Sequence, residues 1–161
     1  MKKVILCGID SSTTNTAISI YVNGKYQGYK LFHMDGGSKW ERLDPMILSV
    51  TKFLTELKPD IICQEDSWQG FNPDSDKCLA NLLGAIRGWS LTNDCFYYKV
   101  MPTEWRALIS SEKKGRTRKE LKAWAINKVH ELGLKDIEDD NIAEAILIGM
   151  AYVNIYGEKG E

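Results

Sequence analysis

Paired cysteines are missing from this chain. Cys7, Cys63, Cys78 and Cys95 form no Cys-x-x-Cys pair. Three of them lie in or beside apolar segments, which argues against a zinc site or a disulfide framework and for small, reduced core residues. Histidine is scarcer still: His33 and His130 are the only two, and neither has a partner at catalytic or ligand spacing. No apolar run approaches the roughly 20 residues that a membrane helix needs. The opening Met1-Lys2-Lys3 runs into a strand-like segment without a small-residue cleavage site, so it reads as mature and not as a secretory leader. Internal repeats and low-complexity stretches are also absent. What is present, 161 residues with 43% apolar and 27% charged, fits a single domain over 1–161 with a substantial core and a cytoplasmic setting.

The net charge of −1 conceals an asymmetry. The stretch 112–128 carries +5, through Lys113, Lys114, Arg116, Arg118, Lys119, Lys122 and Lys128, whereas 131–144 carries −5. A basic segment beside an acidic one suits an enzyme that grips a polyanion and cuts it with bound cations; it also suits two solvated helix faces.

Residues 3–9 read as a buried strand, and 15–22 alternate apolar and polar as a second strand does. Asn23-Gly24 is a hairpin turn signal, and Tyr26 to Phe32 supplies a third strand. A helix follows, with Trp40, Leu43, Ile47, Val50, Phe53, Leu54 and Leu57 at helical spacing, and it stops at Lys58-Pro59-Asp60. A short strand ends at Glu65. Ser67 to Asp74 is a loop by composition. A helix is predicted over about 75–91, a fifth strand over 95–100, a short helix opened by Pro102, a helix over about 117–132 ended by Gly133, and a last helix over about 140–155. The order βββ-α-β-α-β-α-α-α implies an α/β fold: a five-stranded mixed sheet with helices on both faces. Trp40, Trp89 and Trp124 fall on apolar stripes and read as core, and Trp105 as packing too.

Three acidic points stand out. Asp10 ends the apolar run Val4 to Ile9, Glu65 ends Ile61-Ile62-Cys63, and Asp140 and Glu144 share one face of the last helix. Strands one and four are expected side by side, which would bring Asp10 and Glu65 together with the last helix across the same edge. Carboxylates gathered this way are costly unless cations neutralise them, and Mg²⁺ or Mn²⁺ suits such oxygen ligands. The pattern points to metal-dependent phosphodiester cleavage. Taken singly, each acid is more often a surface carboxylate or a helix cap, and an acid at the position of Asp140 also favours the macrodipole.

Several pieces in order resemble the RuvC-type Holliday-junction resolvases of the RNase H-like superfamily, in particular the small phage-encoded branch. They are Gly8-Ile9-Asp10-Ser11-Ser12, Glu65 with its loop, Leu83 to Gly88, Met101 to Arg106, the basic stretch Lys114 to Lys122, and Asp139 to Ala145. The resemblance implies an endodeoxyribonuclease acting on Holliday junctions and other branched DNA. It implies two Mg²⁺ ions (Mn²⁺ as a substitute) held by Asp10, Glu65, Asp140 and Glu144. Two departures go with it. Glu144 stands where the family commonly has Asp, and the usual three-residue spacing would land on Asn141, leaving Asp140, or else Asp139, for the third position. An aromatic at the place of Trp68 stacks on bases in the family, with Phe71 a second candidate. Lys114, Arg116, Arg118, Lys119 and Lys122 would contact phosphates, and Arg118 or Lys122 would stabilise transition-state charge. A homodimer is implied, with Leu79, Leu82, Leu83 and Ile86 as its face unless that stripe serves the core. A phage-encoded member would act in the cytoplasm of an infected bacterial host.

Two other classes compete. Gly8 to Thr14 also resembles the phosphate-binding hairpin of sugar kinases and actin-like ATPases, although a second glycine-rich loop is missing. A non-catalytic branched-DNA-binding protein would keep the fold without the chemistry.

Overall fold

The structure, a computed structural model, describes residues 3–66, 70 and 72–157. Five strands form one sheet in the order β3-β2-β1-β4-β5: β1 (Ile5–Ser11), β2 (Asn15–Val22), β3 (Lys25–His33), β4 (Ile61–Glu65) and β5 (Phe96–Val100). The first three are antiparallel; β4 and β5 run parallel to β1. The predicted α/β class and mixed sheet are what the chain adopts.

Helices cover both faces. α1 (Lys39–Leu57) and α2 (Pro73–Thr92) bury Leu43, Met46, Val50, Leu54, Cys78, Leu82 and Ile86 against Cys7, Ile9, Ile18 and Ile62. α3 (Pro102–Ile109), α4 (Arg118–Glu131) and α5 (Asp140–Tyr156) close the other face around Leu6, Ala17, Cys63 and Val100. All four cysteines are free and buried, as the sequence suggested. Among the described residues no helix is long and apolar enough to cross a membrane.

α5 is buried nearly all round, and glycine lets it seat so deeply. A Cβ on Gly8 would meet Gly149 N at 2.4 Å and Ala145 O at 2.5 Å; one on Gly149 would meet the Tyr21 ring at 2.5 Å. Backbone therefore lies directly on backbone where α5 crosses β1. Two β2 side chains pin the crossing. Ser19 Oγ donates to Ala145 O at 2.7 Å, and Tyr21 Oη donates to Ile146 O at 2.6 Å. This fixes the rotation and register of the turn that carries Glu144.

Local details depart from the sequence expectations. β1 continues two residues beyond its apolar run, because Asp10 and Ser11 still pair with Ala17 and Thr16 of β2. α2 starts at Pro73, capped by Asn72, whose side chain accepts from Asp74 N and Ser75 N. Trp40 is not core: it is 42% exposed, and its Nε1 donates to Asp74 Oδ1 at 3.0 Å, tying the start of α1 to the start of α2. Trp89 is partly buried, Trp124 is buried, and Trp105 is fully buried. On α2, Leu82, Leu83 and Ile86 are buried, so that stripe serves the core and not a dimer face.

Candidate metal centre

Register places the first two acids. Ile9 lies beside Gln64 in the parallel β1–β4 pair, so Asp10 and Glu65 follow side by side at the strands' C-terminal ends. Both project to the α5 face, since side chains alternate along a strand and the neighbours Ile9 and Gln64 take the other one. Gln64 is fully buried there, accepting from Tyr97 Oη at 2.6 Å and donating to Ser11 Oγ at 3.1 Å.

α5 supplies the other two. Asp139 is its N-cap, its carboxylate accepting from Asn141 N at 2.8 Å and Ile142 N at 3.1 Å. That use commits Asp139 Oδ1 to the helix cap. Asp140, one residue on, acts electrostatically on Asp10 together with Glu144 and Glu65. Of the positions weighed for the third acid, Asp140 is one whose charge bears on Asp10.

The cost of gathering carboxylates shows in the protonation of Asp10, Glu65 and Glu144. Burial first, and then the charges of Glu144, Glu65 and Asp140, push Asp10 well above the usual aspartate range, with Lys122 opposing. Glu65 is pushed up to about 7, mainly by burial and also by Glu144, against a hydrogen bond from Trp105 and the charge of Arg106. Glu144 is raised by burial too, with Arg106 working against it.

Three side chains organise the group. Trp105 Nε1 donates to Glu65 Oε2. Arg106 Nη2 binds Glu144 Oε1 at 3.1 Å, with both side chains largely buried (16% and 12% exposed), and its guanidinium lies 4.7 Å from the Trp105 ring centroid. Lys122 Nζ pairs with Asp140 Oδ2. That oxygen is buried and takes no aligned hydrogen bond, so its partner is a charge contact only. Among the described residues, no three His, Cys, Asp or Glu side chains converge on a common metal position. The donor chemistry nevertheless fits a divalent cation. Asp10, Glu65, Asp140 and Glu144 would supply carboxylate oxygens, and Asp140 Oδ2 is a buried carboxylate oxygen without a hydrogen bond.

The basic stretch divides. Lys122 belongs to the acid group. Lys114 is turned inward, bonding Ser110 O and Glu112 O and lying 5.6 Å from the Trp124 ring centroid, so it holds the loop before α4 in place. Arg116, Arg118 and Lys119 are exposed and make no ion pair among the described residues. Trp68 and Phe71 lie outside the described residues. Arg106 was not singled out from the sequence; an arginine in a short helix carries no signal beyond its place next to Trp105. The His33 ring nitrogens lie 2.7 Å from Asn15 Oδ1 and 2.5 Å from Asp35 Oδ1, and His130 Nε2 lies 2.7 Å from Ile137 O. Ser12 uses its hydroxyl within the β1–β2 turn, donating to Asn15 O at 2.8 Å and accepting from Asn15 N at 2.9 Å.

No family model matches the chain, and no curated protein matches it by sequence. Solved structures do match by fold. Thermus thermophilus RuvC in complex with a Holliday junction substrate superposes with a TM-score of 0.72 at 15% identity, over 98% of this chain and 96% of that one. A further T. thermophilus RuvC structure gives 0.71 at 15% identity, over 98% and 97%. The yeast mitochondrial Holliday junction resolvase Ydc2 gives 0.63 at 10% identity, over 95% of this chain and 79% of that one. The chain has the fold of the RuvC-type resolvases.

Proposed function

We propose that the chain is a divalent-metal-dependent endonuclease that cuts Holliday junctions and other branched DNA, with Asp10, Glu65, Asp140 and Glu144 as its ligand set. A single observation carries this. Asp10 and Glu65 stand side by side at the ends of β1 and β4, and α5 lays Asp140 and Glu144 across the same edge. That edge belongs to a fold shared with a RuvC bound to a Holliday junction substrate. Mg²⁺ is the ion that suits the donors, with Mn²⁺ a substitute. Two such ions would supply an activated water and stabilise the leaving 3′ oxygen.

The protein's own part is positioning. The sheet fixes Asp10 and Glu65, Trp105 orients Glu65, and Arg106 orients Glu144. Arg116, Arg118 and Lys119 are free to bind backbone phosphates, contacts that fix register without reading sequence. Trp68 and Phe71 are assigned to supporting unstacked bases, worth about 1–3 kcal/mol per base in comparable platforms.

A homodimer would set two sites for paired cuts. Its face on α2 is the exposed side with Ala80, Gly84, Gly88 and Leu91, not the buried leucine stripe. A Cβ on Gly84 or Gly88 would meet nothing within 4 Å, so neither glycine answers to packing within the chain. The buried free cysteines accord with a reducing cytoplasm.

The second reading, a branched-DNA-binding protein without catalysis, is favoured by the pairing of Asp140 and Glu144 with internal cations. A phosphate-binding domain of the actin-like kind has less support, because the Ser12 hydroxyl is used inside its own turn. The deciding experiment is incubation of labelled four-way junction, Y-fork and linear duplex with the protein in Mg²⁺ and in EDTA. Metal-dependent cutting of branched DNA supports the nuclease. Tight branched-DNA binding with no cleavage in Mg²⁺ or Mn²⁺ leaves the binding protein.

A further inference from the structure

The two internal cations beside the acids are held differently. Arg106 is gripped twice, by Glu144 at 3.1 Å and by the Trp105 ring face at 4.7 Å, and its side chain is 16% exposed. Lys122 reaches in from α4 with its side chain 36% exposed, and Asp140 is the one carboxylate it pairs with. That contact lacks hydrogen-bond alignment on a buried oxygen. The ammonium's charge also bears on Asp10 and Glu144, beside its contact with Asp140. An ammonium in that place neutralises the same oxygen that a divalent ion would use. Lys122 is long, unbranched and single-point, hence easily withdrawn; Arg106 is planar and stacked, hence fixed.

We propose that Lys122 is a displaceable counterion for Asp140, so that a divalent cation and Lys122 compete for one carboxylate, and a DNA phosphate in the site relieves the competition by taking up Lys122. The inference rests on the metal-binding reading of the four acids. It makes Lys122 a determinant of metal affinity and couples metal binding to DNA binding. By linkage, a phosphodiester that draws Lys122 away tightens metal binding, and bound metal tightens DNA binding by the same factor. The protein would thereby load its full metal complement when DNA is already in place.

The test measures binding, not turnover. Mn²⁺ is titrated into the protein and free Mn²⁺ is followed by electron paramagnetic resonance, with and without a short duplex oligonucleotide. Lys122→Met keeps the packing of the aliphatic stem and removes the charge. Lys52→Met, an exposed lysine on α1 outside the site, controls for general electrostatics. The expected result is Mn²⁺ binding about tenfold tighter in Lys122→Met than in the unaltered protein, and less than twofold changed in Lys52→Met. Added duplex should tighten binding to the unaltered protein by a similar factor and move Lys122→Met much less. Equal or weaker binding by folded Lys122→Met overturns the proposal while leaving the metal reading intact. So does a Lys52→Met effect as large as that of Lys122→Met. No Mn²⁺ binding by the unaltered protein overturns the metal reading, and this inference with it.

Discussion

Glu65→Gln should make the metal-free protein more stable. The ordinary glutamate value is 4.5, and burial beside Glu144 pushes Glu65 up to about 7. Between those two values the folded chain holds a proton that the unfolded chain has released. Stability is therefore greatest below 4.5 and falls as pH rises through the window to 7. Above pH 7 the full penalty is about 3 kcal/mol, from 1.36 kcal/mol per tenfold change in acidity. Partial solvent access lowers this to about 2–3 kcal/mol. Glutamine carries no charge and keeps a carbonyl oxygen for the Trp105 indole N–H, so the hydrogen bond at this place survives. In EDTA at pH 8 the variant should gain about 2–3 kcal/mol, or about 5–10 °C in Tm at 2–4 °C per kcal/mol for a chain of this size. At pH 5, where folded Glu65 is already protonated, the gain should shrink below about 1 kcal/mol. Thermal unfolding at the two pH values measures both. A loss of stability at pH 8, or the same shift at both pH values, would refute the reasoning.

Mg²⁺ or Mn²⁺ should raise the Tm of the unaltered protein at pH 8 by an amount that grows with concentration, about 2.7 kcal/mol at one hundred times Kd, and should raise that of Glu65→Gln far less. A metal response equal in the two proteins would remove Glu65 from the ligand set. Gly8→Ala forces a Cβ into Gly149 N and Ala145 O. It should cost at least about 3 kcal/mol or prevent folding, as read by chemical denaturation. Tyr21→Phe removes the hydroxyl bound to Ile146 O and should cost about 1 kcal/mol while the fold persists. By analytical ultracentrifugation the unaltered protein should sediment as a dimer, and Gly84→Glu, which places a charge on an open face of α2, should sediment as a stable monomer.

Much of the fold was legible because its signals are local. The alternation over 15–22 coincides with β2, Asn23-Gly24 is its hairpin, and the βββ-α-β-α-β order implies the parallel β1–β4 pair that brings Asp10 beside Glu65. Asp10 and Glu65 were visible because each ends an apolar run. What escaped depends on tertiary contact. Apolar periodicity predicted Trp40 as core, but it sits at the first turn of α1, where its indole turns to Asp74 across a helix pair that no local pattern announces. The N-terminus of β1 was set too early and its end too soon, because strand length there follows pairing with β2 and not apolarity. Arg106 and Lys122 reach the acids only through the packing of α3 and α4 on α5. Charge composition marked Lys122 as basic, and only the fold turns it toward Asp140.

The most direct test of the central claim compares the unaltered protein with Asp10→Asn on a four-way junction labelled on each strand in turn, in Mg²⁺. Junction binding is measured on the same samples. The account predicts paired nicks at symmetric positions by the unaltered protein, and retained binding without nicks by Asp10→Asn. Cleavage by Asp10→Asn at an undiminished rate would contradict it.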